Sequence, residues 1–197
     1  MTGGCGAHSS AGAPAGGAGP ASLSAEGAGP DTVTIVENEV YGALLTELYA
    51  NSDGRMPTGT FVMAPPERPL VAIFDSMLIA SDSVDPHTRA EYLARNARAF
   101  ELAPTVPGLP DQVVLTEAEV DAIFIAGRWQ GFYERYPDAV GLIRLSRVGF
   151  SQDGGSALLF VARHTSGLAG ELGFVGMRRT ADGWRFAGWA LRAISAP

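Results

Sequence analysis

From residue 141 onward, apolar runs and turn residues follow one another closely. The runs 141–150, 157–162, 172–177 and 184–194 are short, rich in Leu, Val, Ile, Phe and Trp, and bounded by Gly, Asp or Ser. Such punctuation predicts half-buried strands joined by tight turns, hence a four-stranded antiparallel meander. Asp182-Gly183, between the third and fourth runs, marks a two-residue hairpin. The run 157–162 has no polar alternation, which predicts a central strand covered on both faces. In the first run Ile143 and Leu145 have one parity, Val148 and Phe150 the other. An irregularity at Ser146-Arg147 would bring both pairs to one side.

Upstream, the period changes from two to that of a helix. Thr34 and Glu37 form a capping box, and Tyr41, Leu44, Leu45 and Leu48 recur behind it at helical spacing, ending near 51–54. After Pro65, Pro66 and Pro69, the run 70–74 reads as a short apolar strand, continued by 77–79. Asp85 with Pro86 opens a second helix, for which Leu93, Ala97 and Phe100 form the expected buried stripe. A third opens at Thr116 with Glu119, with Leu115 and Val120 as a hydrophobic staple, and is expected to close on a left-handed Gly127. Trp129, Phe132, Tyr133 and Tyr136 follow on one helical face, either lining a pocket or packing on a sheet.

The fold class that follows is α+β: a single domain over 31–197, with a helical part at 34–136 packed on one face of a sheet at 141–195. A chain of 197 residues suits one such domain, which would bury roughly 70% of its extended surface without metals or disulfides. Net charge is −7, which argues against nucleic acid as a partner. The charge is unevenly placed: after Pro137 there are seven arginines against four acids, and the excess of acid lies before it. If those arginines share a solvent face they form a basic patch for an anionic ligand, lipid headgroup or acidic partner; if they pair with acids of the helical part, they join the two parts. All fourteen basic residues are Arg, through selection for bidentate anion contacts or simply through codon bias.

Residues 1–30 are almost entirely Gly, Ala, Ser and Pro and read as a flexible tether. The single cysteine, Cys5, follows Thr2-Gly3-Gly4 and precedes a Gly/Ser/Ala tract. This looks like the mature end of a bacterial lipoprotein, with Cys5 as the lipidation site, although neither a charged nor an apolar leader segment precedes it within this sequence. The expected location is the cell envelope or periplasm, with no run long enough to span a bilayer.

Candidate chemistry is concentrated at 163–171, where Arg163, His164, Ser166 and Glu171 flank Gly167 and Gly170. One arrangement makes His164 a general base acting on Ser166 or water, oriented by Glu171, as in a small hydrolase. The plainer one is a wide hairpin loop whose glycines permit positive φ. Arg147, Arg163, Trp129 and Tyr133 are candidate ligand contacts, and an apolar pocket lined by Trp129, Phe132, Tyr133, Trp184 and Trp189 is a third possibility. Asp82, Asp85 and His87, with Asp75 upstream, lack the spacing of a calcium loop and include too few histidines for zinc, so neither a metal nor a cofactor is expected. Glu117, Glu119 and Asp121 are explained by a helix start. The leading functional expectation is a non-catalytic, envelope-tethered domain that binds a protein or small molecule.

The succession Tyr136-Pro137, Leu145-Ser146-Arg147-Val148-Gly149-Phe150-Ser151, Gly167-Leu168-Ala169-Gly170 and Asp182-Gly183-Trp184 resembles a family of uncharacterised bacterial proteins. The similarity is good over 113–195, weaker over 33–112 and absent from the tether. Some members carry two cysteines in the Gly-rich segment, where this chain has Ser166 and Ala169, so no thiol chemistry transfers. The resemblance implies the domain and no reaction.

Overall fold

The structure, a computed structural model, describes residues 33–50, 52–79, 84–167 and 169–195. The expected tether, Cys5 and Asp82 lie outside them. Four helices and seven strands follow in the order α1 (Ile35–Tyr49), β1 (Thr60–Ala64), α2 (Arg68–Ile79), α3 (Pro86–Arg95), β2 (Gln112–Val114), α4 (Glu117–Arg135), β3 (Ala139–Leu145), β4 (Gly149–Phe150), β5 (Ser156–His164), β6 (Gly170–Thr180) and β7 (Gly183–Ser195). The fold is α+β, but its sheet is larger than a four-stranded meander and is mixed. Strand order is β2-β1-β3-β5-β6-β7, with β4 pairing β5. β1 runs parallel to both β2 and β3, and the remaining pairs are antiparallel. Parallel neighbours need long crossovers: α2 and α3 intervene between β1 and β2, and α4 between β2 and β3.

Two strands therefore lie in the part read as helical scaffold, neither at the expected place, and the strand expected at 70–74 and 77–79 is instead part of α2. A short apolar run has the same composition in a buried helix and in a strand, so periodicity cannot separate them. The antiparallel part matches its pattern. β5 is buried on both faces, Ala157, Leu159 and Val161 facing one cluster and Leu158, Phe160 and Ala162 another. The chain breaks between β3 and β4 at Ser146-Arg147, and Ile143, Leu145 and Val148 share one cluster with Phe150 against it. β6 and β7 form the expected hairpin, with Thr180 opposite Gly183.

The sheet divides the core in two. On one face α1 lays Val40, Tyr41, Leu44 and Leu45 against Phe61, Met63, Ile143, Leu159 and Val175. On the other, α4 packs Val120, Ile123 and Phe132 on Val62, Ala64 and Leu142, while α2 and α3 cover Leu158, Phe160 and Phe174. Each fully buried Phe or Leu contributes roughly 1.5–3 kcal/mol relative to exposure.

Both capping boxes form: the Thr34 and Thr116 hydroxyls accept the Glu37 and Glu119 amides, and each carboxylate accepts the amide of its cap. Asp85 caps α3 by accepting from Thr88. The buried stripe of α3 is Thr88 and Tyr92, followed by its C-cap Asn96; of the expected stripe, Leu93 packs half-buried on the same cluster, while Ala97 and Phe100 lie beyond the end of the helix at Arg95. α1 closes at Tyr49, slightly before the expected 51–54. The positive φ in α4 belongs to Arg128 (φ 52°, ψ −145°), one residue beyond Gly127, and the helix resumes through the aromatic stripe to Arg135.

Candidate functional site

β1, β2 and β3 are parallel, so their carboxyl ends open on one edge of the fold. That is where open α/β sheets place their ligand crevices. β1 runs out into Pro65 and Pro66, and β2 into Leu115 and the start of α4. The segment after α3 crosses in front of them, and together they enclose a cleft of about 730 Å³. This lies within the roughly 300–1,000 Å³ usual for small-molecule sites. Nine of its fourteen described lining residues are apolar, among them Phe100, Leu102, Val114 and Leu115; the polar ones are Asn96, Arg98, Glu101, Thr116 and Glu117.

A buried polar network stands behind this cleft. Arg147 donates from Nε to Glu37 Oε1 at 2.7 Å and from an Nη to Oε2 at 2.8 Å. The same carboxylate accepts the Thr34 and Val148 amides and lies 3.5 Å from an Arg95 nitrogen. Burial alone would raise the Glu37 pKa; the Arg147 and backbone bonds outweigh it and hold the pKa below the usual value. Asn96 donates to the carbonyls of Tyr92 and Arg147 and accepts the Arg147 amide, and Arg147 lies 5.7 Å from the Phe100 ring centre. Ser146 donates to the Arg147 carbonyl and accepts the Phe160 amide, while Tyr41 donates to the Ser146 carbonyl. The dipeptide that interrupts the strand is thus pinned by side chains from α1 and α3.

Arg144 holds a second corner. It is 3% exposed and donates to the Pro65 carbonyl at 2.7 Å and to Glu67 at 2.8 Å, with Glu117 at 4.0 Å. Arg144 and Arg147 therefore pair with acids of the earlier part of the chain and join the two parts. Glu117 and Thr116 carry this corner to the cleft wall.

The Gly-rich loop lies elsewhere, at the turn between β5 and β6. His164 projects on the sheet face that carries Ala162, whereas Glu171 is paired with Arg163 and projects on the opposite face, where it binds Arg192. Ser166 accepts the Ala169 amide at 3.0 Å. The three expected hydrolase residues thus do not converge. Burial, then the neighbouring Arg144, pushes the His164 pKa below its ordinary value, with Glu67 opposing. Arg163 lies over the Tyr49 ring at 5.6 Å. Tyr133 donates to the Thr165 carbonyl at 2.9 Å and belongs with Trp129 to the α4 cluster. Trp184 and Trp189 lie in the α1 cluster, across the sheet, so the five aromatics do not share a pocket.

No described family, curated protein or solved structure matches this chain in comparisons with known proteins. Among the described residues no group of three or more His, Cys, Asp or Glu is placed to hold a metal, and no helix is long and apolar enough to cross a membrane. The cleft was missed in the sequence because β1 and β2 were; the proline cluster after 64 and the Leu115–Val120 staple were the signals nearest to it.

Proposed function

We propose that this chain is a non-catalytic binding domain whose ligand, a small and largely apolar molecule or side chain, occupies the cleft at the carboxyl ends of β1 and β2. The observation that carries this reading is the cleft's composition: an apolar wall of ligand size whose carboxylates, Glu101 and Glu117, have no histidine, serine, cysteine or lysine beside them among its described lining residues to act as nucleophile. Its one hydroxyl, on Thr116, is engaged in the helix cap. The buried Glu37–Arg147–Asn96 network supports the cleft from behind and keeps it preformed.

Attachment to the bacterial cell envelope through an acylated Cys5, and kinship with the bacterial proteins sharing the serine-arginine-valine-glycine-phenylalanine phrase, belong to the same proposal. The composition of residues 1–30 supports the first and the residues quoted above support the second.

The test is a ligand-observed NMR screen of small apolar compounds against the full chain and against Ala99→Trp, which fills the cleft from an exposed wall position. Compounds that bind the first and not the second support the proposal. Compounds that bind both equally, or a screen without hits, overturn it.

A further inference from the structure

We propose a membrane-docking surface, independent of the cleft, on the sheet face covered by α2 and α3, with anionic lipid headgroups as its partner. It begins with Arg178 and Arg185, which are direct cross-strand partners near the tip of the β6–β7 hairpin, both exposed. Like charges placed opposite each other on a sheet are destabilising. No ion pair offsets them: among the described residues neither has a carboxylate within salt-bridge distance, nor does Arg179 beside them. By contrast Arg95, Arg144, Arg147 and Arg192 each hold an acid. In a chain of net charge −7, a bare arginine pair is a local exception that an external anion would relieve.

Register places the pair on the α2 side. Ser156 pairs with Arg178, and along β5 the same parity leads to Leu158 and Phe160, which pack under α2 and α3. Phe74 and Leu78 of α2 face that cluster, and the helix turns Ile73, Met77 and Ile79 outward at 62%, 48% and 58% exposure. One side of the molecule thus presents apolar side chains on a helix together with arginines that have no acid to pair with. A bilayer surface matches both, taking the apolar groups into the headgroup boundary and the arginines onto anionic lipid. An acidic protein segment matches the arginines alone, and the net negative charge resists nucleic acid.

The experiment is co-sedimentation of the full, non-acylated chain with phosphatidylcholine vesicles made with and without phosphatidylglycerol, at low and high salt. The expected result is binding to the anionic vesicles that weakens with salt, falls about tenfold or more in Arg178→Gln/Arg185→Gln, and falls also in Ile73→Ser/Met77→Ser. All these positions are exposed, and the arginine variant keeps or raises its thermal midpoint because the repulsion is gone. Absence of binding, equal binding to neutral vesicles, or binding unaffected by the arginine variant overturns the proposal. So does capture of soluble polyglutamate without capture of vesicles, which would assign the surface to an acidic polypeptide.

Discussion

Arg147 closes a two-pronged grip on Glu37, 110 positions earlier in the chain, with neither side chain more than 6% exposed. Glu37 is at once the third residue of α1, the reciprocal member of its capping box and the anchor for the break between β3 and β4. Removing one member of a buried pair strands the other charge and costs about 3–5 kcal/mol. Arg147→Met and Glu37→Gln should each lower stability on that scale in denaturant titration. Glu37→Leu combined with Arg147→Met should cost clearly less than the two single losses together, because no charge is left unpaired.

Acid should destabilise the fold in two stages. The unfolded chain protonates histidine near pH 6.5, whereas half-buried His164 beside Arg144 resists a proton until lower pH, so stability begins to fall as pH drops through that value. Glu37 has the depressed pKa of a paired carboxylate, and its contribution is present above its ordinary value of 4.5 and lost as pH falls below it. Unfolding free energy measured against pH should show both slopes. His164→Gln should flatten the first and leave the second.

At the kink in α4 the residues are misplaced by one. Arg128 holds φ 52°, ψ −145°, a region that glycine tolerates, while Gly127 is surrounded by open space with no positive φ. Arg128→Gly should stabilise the chain by about 1 kcal/mol through relief of strain. Gly127→Ala should add up to about 1 kcal/mol from helix propensity. Thermal unfolding would show both as raised midpoints.

Gly149 lets α3 approach β4. A Cβ there would stand 2.5 Å from the Tyr92 amide nitrogen and 2.6 Å from its Cα, backbone atoms that cannot swing aside. Gly149→Ala should cost about 1–3 kcal/mol or more, as overpacking does, and its amide hydrogen exchange should rise over both α3 and β4.

Local chemistry in the sequence determined the caps at Thr34, Asp85 and Thr116, the double burial of β5, the break at Ser146-Arg147 and the β6–β7 hairpin. Each depends on interactions within a few residues or on a side-chain period that needs no partner to be visible. Tertiary structure alone decided the rest. β1 and β2 are five and three residues long, too short to show a period, and become strands only because each finds a parallel neighbour distant in sequence, β1 on β3 and β2 on β1. The run at 70–79 is apolar but for Asp75 and Ser76, which gives a short strand pair and a helix equal claim on it; in the fold it is a helix whose Phe74 and Leu78 cover Phe160 and Phe174. The cleft inherits that dependence, since its walls are the ends of two strands and a connection that meet only once the sheet is assembled. The same holds for Glu37 and Arg147: each residue type was plain, but only folding brings a charge at one end of the domain against its counterpart at the other.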